Sequence, residues 1–130
     1  MMVVDASAIL AILFDEDEAG SFAAVLAEAA NPLISPVNLC EVMARARSAR
    51  GAPGVEAAET LVDALELRIE PIDVEQTHVA VEAAVRYGRG TTAALNLGDC
   101  FAYALAKSKG CGLLFKGEDF KRTDVERTPT

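Results

Sequence analysis

The sequence predicts an α/β fold: a parallel sheet of about four to five short strands, flanked by helices on both faces. Three observations carry this. Short continuous apolar runs, Val3-Val4, Leu33-Ile34 and Leu113-Leu114-Phe115, read as strands buried on both sides. Between them, apolar residues recur at i, i+3, i+4 and i+7, the period of a helix packed along one face. Asn31-Pro32, Gly51 to Gly54, Gly88 to Gly90 and Lys109-Gly110 punctuate the joints.

The elements follow in order. Met2-Val3-Val4 is a strand that ends on Asp5, and an apolar run from Ala8 to Phe14 follows at once as a helix. Asp15-Glu16-Asp17-Glu18 reads as a solvated turn opening the next helix, where acids suit the positive end of the dipole. That helix carries Phe22, Val25, Leu26 and Ala29 as its stripe, and Asn31-Pro32 stops it. After the strand Leu33-Ile34, Ser35 and Pro36 supply an N-cap and a first-turn proline. The helix they start runs to about Arg50, with Leu39, Cys40 and Met43 on one face, and Gly51 to Gly54 ends it.

A further helix buries Val55, Ala58, Leu61, Val62 and Leu65. Residues 67–71 read as an edge strand because of Pro71. Val74, His78, Val81 and Val85 form the next stripe, and His78 is expected to pack with them in the core or an interface. A loop through Asn96 leads to a helix opened by Gly98-Asp99, with Phe101, Ala102, Leu105 and Ala106 inward, and ended by a basic turn and Gly110. Beyond the strand 113–115 come a turn at 116–120, a candidate edge strand at 123–125, and a tail, 126–130, expected to fray. No repeat or linker divides the chain, so residues 1–130 read as one domain.

Composition narrows the function classes. At 52% hydrophobic and 25% charged, the chain has a globular balance; with 5% aromatics and no Trp, its core must come from Ala, Val, Leu and Ile. No apolar run reaches the ~20 residues that span a bilayer, and no basic region precedes the first apolar stretch, so neither a membrane segment nor a signal peptide is expected. Cys40, Cys100 and Cys111 are odd in number and lack CxxC spacing; they read as buried free thiols of a reducing, cytoplasmic compartment. With His78 the sole histidine, a zinc site is not expected. The net charge of −8 speaks against a simple electrostatic binder of nucleic acid. It leaves room for a metal-dependent nuclease, whose ligand acids count as negative until a cation neutralises them.

Four acids fall where ligands bind in open α/β sheets, at the carboxyl ends of the strands. Asp5 ends the first strand between two apolar elements, where an unpaired charge is costly. Glu41 lies little more than a turn into its helix, Asp99 lies in the first turn of its own, and Asp119 follows the last strand. Each has a plainer role: Glu41 as an i,i+4 partner of Arg45, Asp99 answering the helix dipole, Asp119 in a turn. Together they favour a metal centre, because converging carboxylates repel unless a cation intervenes. Oxygen donors without His or Cys select Mg²⁺ or Mn²⁺, which can activate water and orient a phosphodiester. Ser7 can hydrogen-bond a metal-bound water or a phosphate, or serve as an N-cap.

These residues carry a family resemblance. The stretches VVDASAIL at 3–10, ISPVNLCEV at 34–42, LNLGDCFAYALAK at 95–107 and LLFKGEDFKRTDV at 113–125 resemble, in order and from end to end, a PIN-domain ribonuclease of the VapC toxin type. The resemblance implies a PIN-like α/β fold and endonucleolytic cleavage of RNA. It matches Asp5, Glu41, Asp99 and Asp119 to the acidic quartet that holds Mg²⁺ or Mn²⁺, and Ser7 to a small hydroxyl position. At the fourth position Glu118 and Asp124 are also available. It further implies a homodimer and neutralisation by a VapB-like antitoxin. The segment 88–94 lacks the histidine-proline pair often seen before the LNLGD block in similar toxins, which bears on substrate preference. Arg45, with Arg47 and Arg50, and Lys116, Lys121 and Arg122 could follow an RNA backbone, or be ordinary solvated charge.

Two other readings are open to the sequence. A haloacid-dehalogenase-like phosphatase also begins with an Asp after its first strand and uses Mg²⁺, but needs an Asp at position 7, where this chain has Ser7. The other is a catalytically silent binding module; losing activity would ordinarily free the acids to change, and all four are present.

Overall fold

The computed structural model describes all 130 residues. In chain order the elements are β1 (Met2–Val4), α1 (Ala6–Leu13), α2 (Ala19–Glu28), β2 (Leu33–Ile34), α3 (Pro36–Ala64), β3 (Arg68–Ile69), α4 (Val74–Tyr87), α5 (Leu97–Lys109) and β4 (Gly112–Leu114), followed by a 3₁₀ turn at Asp119–Arg122. The four strands pair in parallel in the order β3-β2-β1-β4. β3 is the edge strand expected from Pro71.

Alternation along the strands divides the interior into two cores. Val3, Leu33 and Leu113 point to one face, where α4 and α5 cover them. Val4, Ile34 and Leu114 point to the other, beneath α1, α2 and α3. Alanine lines much of both cores, and Ala102, Ala104 and Ala106 let α5 approach the sheet closely.

α3 is interrupted where the sequence places its break. Gly51 adopts φ 66° and ψ −153°, a left-handed conformation that a side chain would strain, and Pro53 follows it. No helix is long and apolar enough to cross a membrane.

Four expectations need correction. The Val74, His78, Val81, Val85 stripe does not face the core. α4 turns Gln76, Ala80 and Ala83 inward instead, leaving His78 exposed and Val74, Val81 and Val85 each more than half exposed. Small residues win that side because they bring α4 close to α5. Cys40 is exposed and Cys111 half-buried; of the three thiols, Cys100 alone is buried. Residues 123–125 form no strand. The tail is not frayed through 128: the Leu113 amide donates to the Glu126 carbonyl (2.8 Å), and the Thr128 amide donates to the Leu113 carbonyl (3.0 Å).

Candidate active site

β1 has β2 on one side and β4 on the other, so the strand order reverses at its β4 edge, the place where open α/β sheets leave a crevice. Asp5 sits at that crevice. Its amide donates to the Leu114 carbonyl (2.9 Å), which carries the β1–β4 ladder one residue further. Its side chain is the N-cap of α1: Oδ2 accepts from the Ser7 amide at 3.0 Å. The residue is only 4% exposed, and Oδ1 is buried with no hydrogen-bond partner. Burial pushes the carboxyl up to about 7; repulsion from Asp99 and Glu41 adds to this, and the Ser7 hydrogen bonds oppose it.

Glu41 comes from the second turn of α3, which Ser35 caps and Pro36 begins. The Asn38 amide Nδ2 donates to Glu41 Oε1 (2.9 Å) and to the Gly98 carbonyl (3.0 Å). A Cβ on residue 98 would fall on the Glu41 carboxylate, so any larger residue there must displace that carboxylate from its present position. Glu41 thus lies against the start of α5, beside Asp99.

Asp99 performs the plainer role as well as facing the other acids. It completes a capping box in which its Oδ2 accepts from the Asn96 amide (3.0 Å) and its own amide donates to Asn96 Oδ1 (2.8 Å). Burial raises its carboxyl to about 6, helped by repulsion from Glu41 and Asp119 and opposed by the bond from Asn96.

Asp119 is exposed at the start of the 3₁₀ turn, and its charge is felt by Asp99. The neighbouring acids are otherwise engaged. Glu118 pairs with Lys121 at 3.0 Å. Asp124 accepts from the Tyr103 hydroxyl and from Lys107 Nζ (3.3 Å), and these bonds hold its carboxyl below the usual range.

Ser7 is not the N-cap of α1, since Asp5 takes that role. The Ser7 hydroxyl instead accepts from the Lys116 amide (3.0 Å), clipping the start of α1 to the loop after β4. Ser7, Leu10, Phe14, Glu16, Arg45 and Lys116 line a cleft of about 340 Å³. Lys116 Nζ pairs there with Glu16 (3.0 Å) and Glu18 (3.5 Å), which gives the acidic run 15–18 a partner. Arg45 and Arg47 are exposed, Arg50 lies over the Phe14 ring, and Arg122 donates to the Thr92 carbonyl.

No three His, Cys, Asp or Glu side chains stand at metal-ligand spacing. The donor set nonetheless suits a hard divalent cation, which takes one or two carboxylates and fills its shell with water. The orphaned Asp5 Oδ1 is a buried oxygen of the kind such an ion would satisfy.

Sequence reasoning missed Asn38 and the Lys116 amide. Asn38 left one trace, a polar residue three positions before Glu41 and so on the same helical face.

Fold and site together define an open parallel α/β protein with Asp5, Glu41 and Asp99 brought near one another at the switch point of its sheet. A family model of the PIN domain matches residues 2–126. Ribonuclease VapC28 of Mycobacterium tuberculosis is 40% identical over 128 residues, spanning 97% of this chain and 96% of that protein. Among solved structures, Mycobacterium tuberculosis VapC20, described as a Sarcin-Ricin loop cleaving toxin, superimposes with a TM-score of 0.80 at 18% identity over 98% of each chain. A toxin–antitoxin complex from Klebsiella pneumoniae gives 0.72 at 20% identity, covering 100% of this chain and 98% of the other. The chain belongs to the PIN-domain family, among the VapC ribonucleases.

Proposed function

We propose that the chain is a metal-dependent endoribonuclease, the toxin of a toxin–antitoxin pair, with Asp5, Glu41, Asp99 and Asp119 as its site. The observation that carries this reading is the Asp5 carboxylate: buried, half-unpartnered, and repelled by Asp99 and Glu41 at the switch point of the sheet. Mg²⁺ or Mn²⁺, when bound, supplies an activated water and offsets charge on the phosphodiester.

The chain's own residues hold that centre still. β1 and its ladder to Leu114 fix Asp5; Asn38 and Gly98 confine Glu41; Asn96 turns Asp99. Asp119 is favoured as the fourth acid over Glu118 and Asp124, which are committed to other partners. Ser7 holds the β4 loop beside Asp5. The cleft with Arg45 and Lys116 is where an RNA backbone would enter, and Lys121 and Arg122 flank Asp119.

The acidic centre would also receive an arginine of a VapB-like antitoxin through charge-assisted hydrogen bonds. Val74, Val81, Val85 and Leu97 are 58 to 74% exposed on the α4–α5 side, an apolar patch that fits a homodimer. Three free thiols agree with a cytoplasmic setting. The phosphatase reading loses further ground because the Ser7 hydroxyl is held by the Lys116 amide. Sequencing RNA ends after expression, beside an Asp5→Asn control, tests the proposal. New 5′ ends at recurring sites are expected with the parent chain alone; equal ends from both would contradict it.

A further inference from the structure

Asn38 is a polar side chain with no exposed surface, set between the first turns of α3 and α5. Its Nδ2 makes two hydrogen bonds, to Glu41 Oε1 at 2.9 Å and to the Gly98 carbonyl at 3.0 Å, the second spanning 60 residues. The opposite amide orientation would set Oδ1 against two acceptors, so the contacts fix which end faces the acids. Oδ1 is left buried and unpartnered. A fold with no use for the amide would gain by an apolar residue here, because an unsatisfied buried oxygen is costly.

The amide holds a carboxylate whose flexible side chain would otherwise sample several rotamers. It does so from the helix that carries Glu41 to the residue immediately before Asp99. Gly98 leaves the space that the same carboxylate fills, since a Cβ there would displace it.

We propose that Asn38 is a positioning residue of this centre: it fixes the Glu41 carboxylate against the start of α5, so that Glu41 and Asp99 present their oxygens to one divalent cation. The inference deepens the nuclease reading and rests on it. Asn38 is buried and touches no RNA. Its effect therefore falls on metal affinity and turnover, and not on substrate binding.

The test is Mn²⁺ binding by calorimetry on the chelator-stripped full chain without RNA, alongside RNA cleavage kinetics. Asn38→Ala is expected to weaken Mn²⁺ binding about ten-fold, the usual effect of losing a partner that orients a ligand. kcat should fall with it, while KM for RNA stays within about two-fold. In a Glu41→Gln background the same substitution should add less than about three-fold, because its target is already gone. An equal loss in both backgrounds, or unchanged Mn²⁺ affinity in the folded variant, would overturn the proposal while leaving the nuclease reading intact. If Asn38→Ala fails to fold, Asn38→Ser decides by the same thresholds. Unfolding of both would assign Asn38 to the fold alone and overturn the proposal. Absence of Mn²⁺ binding by the parent chain would overturn the site reading and this proposal with it.

Discussion

The carboxylate of Glu41 occupies the space that a Cβ on residue 98 would need. Two helices that begin at separate strand ends therefore meet through one acid and one glycine, and Asp99 follows next in the chain. Gly98→Ala forces either the carboxylate or the helix start to move. We expect stability to change by less than about 1 kcal/mol, because the displaced atoms end a flexible side chain and Ala suits a helix better than Gly. RNA cleavage should fall at temperatures where the variant is still fully folded. Circular dichroism melts and cleavage rates on one preparation check both.

Asp5 and Asp99 have carboxyls pushed up to about 7 and about 6 in the folded chain, from ordinary values of 3.8. Between those limits the folded state binds more protons than the unfolded state, so folding stability falls as pH rises. The contribution is fully present below about pH 4 and lost by about pH 7. The metal-free protein should therefore melt higher at pH 5.5 than at pH 8, by several degrees for a chain of this size. Mn²⁺ should narrow that gap, since a cation favours the ionised carboxylates. A melting temperature that rises with pH in the metal-free protein would contradict the electrostatic account.

Asp5→Asn removes a charge that is buried and repelled. The metal-free variant is expected to melt above the parent chain, while the upward shift that saturating Mn²⁺ gives the parent largely disappears. Thermal melts of both forms with and without Mn²⁺ decide it. An equal metal shift in both would show that Asp5 is not a ligand.

Val81→Asp or Val85→Asp places a charge in the exposed apolar patch on α4. The parent chain is expected to sediment as a dimer and either variant as a monomer, with little change in melting behaviour at low concentration. A parent chain that is already monomeric would remove the proposed role of the patch.

Much of this fold was legible because its signals are local. β1, β2 and β4 are continuous apolar runs; Ser35-Pro36 and Gly110 mark helix ends by local chemistry that needs no distant partner. α4 shows where local signals stop. Its Val74, Val81 and Val85 have the correct helical period, yet the period cannot distinguish a face that meets the core from one that meets solvent or a partner. Ala80 and Ala83 took the inner side because close approach to α5 mattered more than bulk. Cys40 was misplaced for the same reason, by a face assignment one position out.

The site divides similarly. Asp5 was legible because an acid between two apolar elements is conspicuous. Asp99 read either as a first-turn acid answering the dipole or as a member of the cluster; its capping box with Asn96 emerged only in the structure. Asn38 was not legible as a partner of Gly98, since its meaning depends on a residue 60 positions away. At the fourth position the sequence favoured Asp119 with Glu118 and Asp124 close by; the pairing of Glu118 with Lys121 and of Asp124 with Tyr103 supports that choice.

We propose that the four acids form a metal-dependent centre that hydrolyses RNA. Cleavage of a structured RNA by the purified chain, with and without Mn²⁺ and beside Asp99→Asn, tests it most directly. Cleavage is expected to require the metal, stop on adding EDTA, resume when Mn²⁺ is restored in excess, and fall at least about a hundred-fold in the variant. Cleavage that persists in EDTA, or an Asp99→Asn chain as fast as the parent, would contradict it.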